Sequence, residues 1–567
     1  MYKGIGASKG YGIGRAVIYR EAVLEYEKTT DNDPASQKER LTKALETFFK
    51  RNEVLHKKAA ETAGEAAAEI IMGHIMMMKD PYMCSEIEKL IDAGKCAEEA
   101  VESVCDTFIA MFSSVDDEMT RQRAADVRDI KHEMISILMG ANTVDLSELP
   151  KDTVLVAKEL TPSMTACIDK ANVVGFVTEV GSKTSHAAIL ARAMEIPAVL
   201  GVKDATKLFE NGQLTVVDGV KGEVITDPSG EVTAEYIRLR VDFDREKAAL
   251  KKYMGKPTQT ADKQKVMLFA NIGTPEDALK VAEYDGEGVG LFRTEFLFMD
   301  RTTAPDEQEQ FEAYRKALMV MKGKTVVIRT LDIGGDKDIP YMNLVKEENP
   351  FLGFRAVRYC LKNPEMYKIQ LRALLRAGVY GDLQIMVPLV TGVDELRAVK
   401  ALIKEAEKEL ESKKIDYKKD IKVGVMIETP AAAMTADLFA KEADFFSIGT
   451  NDLTGYTMAA DRGNPNVEYL YSVFNPAVLR SLKYIISEGK KAGITVGMCG
   501  EGAADPLLIP LLISFGLDEY SVTPTSVLST RREISKWTKA EADAIAEKVM
   551  SLSTGREIVA ELEKALV

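Results

Sequence analysis

One histidine of this chain stands in a setting that suits nucleophilic chemistry. His186 follows an apolar strand pattern and precedes the Ala-rich run 187–193, which is typical of a helix. At a helix start, free N–H groups and the helix dipole favour an anion. An unperturbed imidazole has a pKa of about 6.5, so most of it is neutral and nucleophilic at pH 7. The pattern predicts a histidine that carries a phosphoryl group, and a capping or hydrogen-bonded structural histidine is the alternative. The other histidines fall on helical patterns and are expected to be surface or packing residues: His56, His74 and His132.

A second set of polar residues follows predicted strands in the C-terminal half. Glu428 and Asp452 offer hard oxygen ligands on neighbouring loops, and two carboxylates with water or substrate oxygens describe a Mg²⁺ site that has room for a phosphate. Arg293, Arg329 and Arg462 add three planar guanidinium groups, which suit carboxylate and phosphate. Together they predict a small, dense polyanion as ligand, such as a phosphorylated carboxylic acid. The alternative is that each arginine pairs with a nearby carboxylate for structure.

Cys499 follows another predicted strand and is flanked by glycines that let a ligand approach the backbone closely. An unperturbed thiol has a pKa of about 8.5 and is mostly protonated at pH 7. It therefore suits a proton donor better than a nucleophile. A buried, inert cysteine is the alternative.

The elements that must position these residues are eight short apolar runs separated by helical stretches, which predict a closed (β/α)₈ barrel of parallel strands. An open, doubly wound sheet is the alternative. The polar residues fall at or after strand ends, where such barrels place their chemistry; Asn271 is expected to end the first strand. The predicted strands are 266–270, 288–292, 325–329, 383–387, 423–427, 445–448, 494–498 and 519–522.

The N-terminal half predicts a small α/β domain interrupted by helices. Residues 36–139 follow a helical pattern broken near 80–81 and 92–94, which indicates four or so antiparallel helices. Short β-branched runs flank this bundle, at 1–20 and then at 153–157, 173–177, 214–217 and 223–225. A charged helix over 231–254 and a short hinge at 255–258 predict a linker to the second half.

Composition sets the class of protein. The 567 residues carry a net charge of −14, with 46% hydrophobic and 29% charged residues, which is typical of globular domains and argues against general binding to nucleic acid or anionic membranes. The six cysteines lack CxxC pairs and are expected to be free thiols. The chain shows neither a signal-peptide layout nor 18 uninterrupted apolar residues, so we expect a cytoplasmic protein.

Six motifs together resemble one known family, enzyme I of the bacterial phosphoenolpyruvate-dependent sugar phosphotransferase system. The resemblance runs from GIGAS at 4–8 to the final helices. It implies a multidomain α/β fold: a swivelling phosphohistidine α/β domain with an inserted helical bundle, then a (β/α)₈ TIM barrel. The motifs are TSH at 184–186, GLFRTEF at 290–296, IRTLDIGGDK at 328–337, GTNDLT at 449–454, DRGN at 461–464 and GMCGE at 497–501.

The resemblance implies a role for each candidate residue. His186 would be the phosphorylated nucleophile, with Thr165 hydrogen-bonded to it. Glu428 and Asp452 would bind Mg²⁺, or Mn²⁺ in its place, and Cys499 would protonate the enolate carbon as pyruvate forms. The residues implied to hold phosphoenolpyruvate are Arg293, Arg329, Arg355, Asn451, Asp452 and Arg462.

The same resemblance implies domain bounds and partners. Segments 1–22 and 143–230 would form the phosphohistidine domain, 23–142 the bundle that docks the carrier protein HPr, 231–260 the linker and hinge, and 261–567 the barrel, through which a homodimer would form. The motif RQRAADVRD at 121–129 matches the family in the last bundle helix. Ser182 and Lys183 depart from the Gly-Arg that the family commonly has there, which keeps a charge but loses the guanidinium fork.

Three other functions remain alternatives at this point. A dikinase or phosphoenolpyruvate synthase would need a nucleotide-binding domain, and no Gly-rich ATP loop is visible. A silent HPr-binding regulator would be expected to lose His186, Arg329 or Asp452, and all three are present. An aldolase-like barrel would cleave carbon–carbon bonds without HPr. The Met-rich stretch 72–78 is expected to contribute to carrier docking in part, with helix core as the alternative.

Overall fold

The computed structural model divides into two compact units, Met1–Lys247 and Ala248–Val567. It describes the chain except for residues 21–25, 27, 29–32, 63–64, 114–117, 141–145, 147–148, 161–163, 165–167, 182–184, 300, 302, 335–338, 343, 345–346, 462–463, 465 and 567. At residues 55, 57–62, 65–70, 113, 118–123, 125, 186, 189, 193 and 340 it describes the backbone alone.

The first unit contains an eight-stranded mixed sheet, with strand order β1-β8-β7-β3-β4-β5-β6-β2. The central strands β3 to β6 are parallel, and β1, β2, β7 and β8 add antiparallel pairs at the two sides. The strands are β1 (Tyr2–Lys3), β2 (Ile5–Ser8), β3 (Tyr11–Tyr19), β4 (Thr153–Ala157), β5 (Val173–Thr178), β6 (Ala198–Leu200), β7 (Leu214–Asp218) and β8 (Glu223–Thr226).

Central strand β4 is apolar along its whole length because it is buried on both faces. Leu155 packs in one apolar cluster with Phe176, while Val154 and Val156 belong to a separate cluster on the other face. The sequence leaves β3 and resumes at β4 after the helical region, so the bundle is an insertion between two neighbouring strands, as predicted.

The helical region has five helices in its described residues, one more than the pattern indicated. They are α1 (Pro34–Thr62), α2 (Glu65–Met78), α3 (Pro81–Asp92), α4 (Ala97–Ser113) and α5 (Glu118–Leu138). Both predicted breaks are present. The Asp80 carboxylate caps α3 by accepting hydrogen bonds from the backbone N–H groups of Tyr82 and Met83, and Pro81 occupies the first turn, where its missing N–H costs nothing.

In its described residues the first unit also has α6 (His186–Met194), α7 (Ala205–Leu208) and α8 (Gly230–Leu250), the last of which extends past the end of the unit at Lys247. Helix α8 is the predicted charged helix, and its first half packs on the sheet. The rings of Tyr236 and Phe243 meet that of Tyr11, and the Tyr236 hydroxyl donates to Asp218 Oδ2 at 3.2 Å.

The second unit is a closed barrel of eight parallel strands, which confirms the predicted class and excludes the open sheet. Each strand pairs in parallel with the next, and β9 closes the ring against β16. The strands are β9 (Met267–Ile272), β10 (Val289–Phe292), β11 (Val326–Arg329), β12 (Leu383–Val387), β13 (Val423–Ile427), β14 (Phe445–Ile448), β15 (Thr495–Met498) and β16 (Glu519–Val522). Strand β9 runs past its predicted end, so Asn271 lies inside it.

The helices pack around the barrel, and the largest apolar cluster of the chain fills the space between them and the strands. They are α9 (Asp277–Glu283), α10 (Glu307–Met321), α11 (Ala356–Lys362), α12 (Pro364–Ala377), α13 (Val393–Ser412), α14 (Pro430–Met434), α15 (Ala436–Phe439), α16 (Thr450–Met458), α17 (Pro476–Ala492), α18 (Ile509–Phe515), α19 (Val527–Ser535), α20 (Lys539–Met550) and α21 (Gly555–Leu566). Among the described residues, no helix combines the length and apolar character needed to cross a membrane.

A buried arginine ties the segment before the barrel to its outer helices. Arg531 on α19 is only 2% exposed, and it donates to the Tyr253 carbonyl at 2.9 Å and to Thr258 Oγ1 at 3.0 Å. It also lies 2.6 Å from Asp285 Oδ2, which accepts the Gly255 N–H at 2.7 Å. These bonds hold residues 253–258 against the outer helices of the barrel.

Candidate active site

Three charged side chains meet where β11 ends at Arg329. Asp332 lies between two arginines: its Oδ2 is 2.7 Å from Arg329 Nη1, and its Oδ1 is 2.6 Å from Arg355 Nη2. The second Arg329 nitrogen, Nη2, is 2.9 Å from Glu295 Oε1. The side chains of Arg329, Asp332 and Arg355 are between 4% and 11% exposed, so their ion pairs are held largely away from water.

Burial and charge act in opposite directions on these groups. Burial alone would raise the pKa of Asp332, but the charges of Arg329 and Arg355 outweigh it and keep that pKa below its ordinary value. The shared carboxylate does not use all the arginine donors. Arg355 Nε and Nη1 and Arg329 Nε are buried and have no hydrogen-bond partner among the described residues. Buried guanidinium donors of this kind are suited to an anionic ligand.

Glu428 follows β13 directly and is 2% exposed. Its Oε1 accepts the backbone N–H of Leu389 at 2.7 Å, and Leu389 presents that N–H from a left-handed conformation with a φ of 55°. Burial raises the pKa of Glu428 to about 8; the charges of Asp332 and Asp452 add to this rise, and Arg329 opposes it. A carboxylate in this position favours a compensating cation.

The donor set fits a hard divalent cation. Glu428 and Asp452 supply carboxylate oxygens, the ligands that Mg²⁺ prefers, and a Mg²⁺ bound by one or two carboxylates keeps coordination positions for water and substrate phosphate. In the part of the chain that the structure describes, no group of three or more His, Cys, Asp or Glu side chains could hold a metal by itself. The arrangement therefore resembles a substrate-completed site more than an all-protein cage.

Asn451 and Asp452 lie in the first turn of α16, after β14, and both are half-buried. The Asn451 carbonyl accepts the Tyr471 hydroxyl at 2.8 Å. On the same helix, the Tyr456 hydroxyl donates to the Phe351 carbonyl of the loop that carries Arg355. This contact links the helix of Asn451 and Asp452 to the arginine loop.

Cys499 follows β15 and is 3% exposed. Its N–H donates to the Ile448 carbonyl at 3.1 Å, and its thiol donates weakly to the same carbonyl at 3.7 Å. Burial raises the pKa of the thiol to about 11; Glu428 and Glu519 raise it further, while Ser447 and Arg329 lower it. The group is therefore a protonated thiol at neutral pH, which is the form that a proton donor needs.

Arg293 follows β10 and is exposed, unlike Arg329 and Arg355. Its charge contributes to the lowered pKa of Asp332, which places it near the same cluster. The next residue, Thr294, is buried and donates to the Arg329 carbonyl at 2.9 Å. The two neighbouring strand ends are thus held together next to the exposed arginine.

His186 is the first residue of α6, so the predicted helix start is present. Its side chain lies outside the described part of the structure, as do Thr165, Arg462, Ser182 and Lys183. The structure thus gathers Arg329, Arg355, Asp332 and Glu428 at the barrel rim, and describes only the backbone position of the predicted nucleophile.

Two contacts at the barrel rim could not be predicted from the residue pattern. Leu389 donates to Glu428 through its backbone N–H, and Tyr456, which donates to the Phe351 carbonyl, lies within an ordinary helical stretch. Asp332 was visible as a polar residue after a strand, but its position between two arginines depends on how the loop after β11 folds.

Comparison with known proteins places the chain in the class of phosphoenolpyruvate (PEP)-utilising enzymes. Residues 3–123 match the family model of their N-terminal domain, residues 149–222 that of their mobile domain, and residues 247–539 that of their PEP-binding domain. Two relatives are each 45% identical over 98% of this chain: the phosphoenolpyruvate-protein phosphotransferases of Priestia megaterium, with 97% of its length covered, and of Bacillus subtilis, with 98%. A solution structure described as Enzyme I covers 43% of this chain and 100% of its own, at 34% identity and a TM-score of 0.40.

The chain therefore belongs to the phosphoenolpyruvate-protein phosphotransferase family, because the relatives match it at 45% identity over nearly its full length. It is an enzyme, a transferase of phosphoryl groups from phosphoenolpyruvate to protein. The family resemblance seen in the sequence is confirmed, and the dikinase, regulator and aldolase alternatives lose their support.

Proposed function

We propose that this protein moves the phosphoryl group of phosphoenolpyruvate to His186, releases pyruvate, and then passes the group to a histidine of HPr, the first step of the sugar phosphotransferase system. The observation that carries the proposal is the buried Arg329–Asp332–Arg355 cluster beside Glu428, at the mouth of the barrel. This cluster combines fixed positive charge with a cation-binding carboxylate, which is the chemistry that a phosphorylated carboxylic acid requires.

The arginines divide the work of binding. Arg329 and Arg355 have buried donors free of protein partners among the described residues, and they hold the phosphate and carboxylate oxygens of phosphoenolpyruvate. Exposed Arg293 contacts the ligand from the rim, and Asn451 donates from the first turn of α16. Arg462 is proposed as a further ligand of the substrate. Pairing with Asp332 keeps Arg329 and Arg355 oriented without neutralising the whole cluster, because one carboxylate serves two guanidinium groups.

Glu428 and Asp452 would hold Mg²⁺, with Mn²⁺ as the alternative. When bound, the cation would supply charge neutralisation at the phosphoryl oxygens, which lowers the repulsion that a nucleophile meets there. The remaining electrostatic stabilisation comes from the arginines, whose positions are already fixed before substrate arrives.

Cys499 donates the proton that turns enolpyruvate into pyruvate. Its buried, protonated thiol at the end of β15 supports this role, because a thiolate could not act as the acid. The thiol S–H bond breaks as a C–H bond forms at the enolate carbon, and the negative charge passes to sulfur.

The bundle offers a docking surface for HPr on α2. The Met-rich stretch divides between two environments: Met78 and Ile75 are buried in the bundle core, whereas Met72 is 38% and Met76 67% exposed. Exposed methionines adapt well to a partner surface. The buried residues fit the helix-core alternative, and the exposed methionines support the proposed docking surface.

The same proposal covers domain bounds, assembly and location. The phosphohistidine domain comprises residues 1–22 and 143–230, and the carrier-docking bundle comprises 23–142. The linker with its hinge comprises 231–260, and the barrel, through which a homodimer forms, comprises 261–567. The cytoplasm is the proposed location, since the described cysteines are free thiols, which is typical of a reducing compartment.

The test is incubation of the full chain with ³²P-labelled phosphoenolpyruvate and Mg²⁺, followed by mapping of the modified residue. We expect label on His186 alone, lost in His186→Ala and retained in the matched variant His56→Ala, and discharged on adding purified HPr. Label on another side chain, or label that HPr does not remove, would contradict the proposal.

A further inference from the structure

Below the Cys499 thiol, the barrel interior contains a buried carboxyl group that the proposed mechanism does not use. Glu519 begins β16 and is 6% exposed. Its register partner on β15 is Gly497, and the register partner of Gly497 on β14 is Ser447. Three neighbouring strands therefore contribute Ser447, Gly497 and Glu519 to one layer of the interior. Cys499 lies two residues after Gly497, just past the end of β15, and the alternation of the strand directs it to the same face.

Gly497 allows the glutamate to cross its strand. Two strand spacings separate Ser447 from Glu519, about 9.6 Å at backbone level. A Cβ placed on Gly497 would lie 1.9 Å from Glu519 Oε2, so the carboxyl occupies the space that any other residue at 497 would fill. On the opposite side, a Cβ on Gly290 would lie 2.3 Å from Glu519 Oε1. The carboxyl is thus held between two glycines, with Oε2 on the side of β15 and Oε1 on the side of β10.

The polar atoms of this layer are left with unused hydrogen-bonding capacity. Ser447 is 1% exposed, and neither its Oγ nor Glu519 Oε1 has a well-aligned hydrogen-bond partner among the described residues. Even so, Ser447 lies close enough to the thiol to lower the pKa of Cys499. A hydrogen-bond donor lowers a thiol pKa in this way because it stabilises the thiolate. Native proteins seldom leave buried polar groups unpaired without a use for them, and this one layer contains two.

The neighbouring polar contacts fix the framework of the layer. Ser521 Oγ donates to Asn271 Oδ1 at 2.6 Å, and Asn271 Nδ2 donates to the carbonyls of Cys499 at 3.0 Å and Ser521 at 3.1 Å. The backbone of Cys499 is therefore held in place while Ser447 and Glu519 keep free groups. Burial raises the pKa of Glu519 to about 8, with Asp518 contributing, so the carboxyl is mostly protonated at neutral pH. In that form it can donate a hydrogen bond, and it lacks the charge by which an ionised Glu519 raises the pKa of Cys499.

We propose that Ser447 and Glu519 form a donor pair that stabilises the Cys499 thiolate left when the thiol protonates enolpyruvate. The inference rests on the proposed role of Cys499 as the acid. In this step the S–H bond breaks and the enolate electron pair forms the new C–H bond, so that a ketone forms and the charge moves to sulfur. The Ser447 hydroxyl donates to that sulfur, and the neutral Glu519 carboxyl donates to the Ser447 oxygen. Water restores the thiol proton after pyruvate leaves.

The donor pair touches no substrate; both members are positioning residues that act through the thiol. Hydrogen bonds to a charged group are stronger than neutral ones, so the pair gains strength as the thiolate forms and not before. Such an interaction speeds the step because it is made only as charge develops.

The experiment compares single-turnover pyruvate formation in the full-length variants Ser447→Ala, Glu519→Met and Glu519→Gln, with Glu407→Met on outer helix α13 as the matched control. We expect at least a tenfold slower pyruvate step in Ser447→Ala and Glu519→Met, with KM for phosphoenolpyruvate unchanged within about twofold. Glu519→Gln, which keeps a donor of the same length, should stay within about threefold of the wild type, as should Glu407→Met.

A second readout separates this role from general packing. The rate of Cys499 alkylation by iodoacetamide at pH 7, where Glu519 is mostly protonated, reports the thiolate population after peptide mass spectrometry and should fall in parallel with the pyruvate step. Unchanged pyruvate and alkylation rates in Glu519→Met would overturn the donor pair, and so would Glu519→Gln as slow as Glu519→Met. If Glu519→Met fails to fold in a thermal scan, Ser447→Ala decides alone.

Cys499→Ala distinguishes a failure of the proposed acid from a failure of the donor pair. A wild-type pyruvate rate in that variant would remove the proposed acid and the donor pair with it. A slow Cys499→Ala beside wild-type rates in Ser447→Ala and Glu519→Met would reject the donor pair alone.

Discussion

At the scale of single residues, the barrel site depends on one carboxylate that serves two arginines. Asp332 contacts Arg329 and Arg355 within 2.7 Å, and all three are largely buried. A buried charge without its partner is expensive, whereas the intact set is tolerated because each charge has an opposite neighbour. The shared carboxylate therefore orients the cluster as well as balancing it.

Asp332→Asn should destabilise the barrel by about 3–5 kcal/mol, because it leaves two buried guanidinium groups without their counter-charge. It should also raise KM for phosphoenolpyruvate through misplaced arginines. Since the folded pKa of Asp332 is lowered, its stabilising effect is complete above the unfolded pKa of about 3.9 and is lost as pH falls through the lower folded value. Calorimetry should therefore show the gap in Tm between wild type and variant at pH 7 and its narrowing below pH 4. An equal gap at both pH values would contradict this account.

Cys499 carries a prediction of its own. Cys499→Ala should still transfer phosphate to His186, while pyruvate appears at least a hundredfold more slowly, since general acid catalysis contributes about 10²–10⁴-fold. Quenched-flow assays that count labelled protein and pyruvate separately measure the two steps. Cys84→Ala in the bundle is the matched control and should behave as the wild type. Equal rates of pyruvate formation in both variants would assign the proton to another group.

At the scale of elements, strand ends place the chemistry and close packing between neighbouring loops holds it. Gly500 follows Cys499, and a Cβ added there would lie 1.7 Å from Thr450 Oγ1 and 2.8 Å from the Thr450 nitrogen. Thr450 begins α16, the helix whose first turn carries Asn451 and Asp452. The loop after β15 thus sets the position of the helix after β14.

Gly500→Ala should displace the first turn of α16 and lower kcat/KM for phosphoenolpyruvate by at least tenfold, since an ångström of misplacement is costly at a binding site. The matched control is Gly273→Ala after β9, where the nearest atom to an added Cβ, Asp277 Oδ2, is 3.8 Å away. Steady-state kinetics at saturating Mg²⁺ make the comparison. A Gly500→Ala enzyme as active as Gly273→Ala would show that the α16 turn tolerates the shift.

At the scale of the whole molecule, the proposed nucleophile and the proposed phosphoenolpyruvate site belong to different compact units. His186 lies in Met1–Lys247, and Arg329, Glu428 and Cys499 lie in Ala248–Val567. In the proposed reaction, His186 receives the phosphoryl group at the barrel mouth and passes it on at the docked carrier protein. The linker must therefore permit two arrangements of the units. The bonds from Arg531 to Tyr253 and Thr258 indicate that any flexing occurs before residue 253.

A fragment comprising residues 1–254 should exchange phosphate with HPr but fail to load from phosphoenolpyruvate. The reason is that it keeps the sheet, the bundle and His186 but lacks every barrel residue of the proposed site. Gel assays with labelled phospho-HPr and with labelled phosphoenolpyruvate measure the two reactions, and the His186→Ala fragment is the control for both. Loading of the fragment from phosphoenolpyruvate would place the binding site in the first unit.

The sequence alone determined the elements and much of the chemistry. All eight barrel strands were predicted within two residues, because β-branched runs between turn residues are local signals that buried parallel strands require. The break at Asp80 was equally local, since a cap and a proline act within one turn. The candidate ligands of the rim followed from residue type at strand ends. The proposed domain bounds and the roles of the site residues, including Thr165 and Arg462, stay predictions.

Only the tertiary structure decided which of these residues meet. The pairing of Asp332 with Arg355, 23 positions away, depends on how two loops fold over the barrel mouth. The layer of Ser447, Gly497 and Glu519 depends on the register of three strands that are far apart in sequence. A residue pattern reports the face and period of one element, whereas these contacts arise from ring closure and from the space that glycines leave, which are properties of the packed molecule.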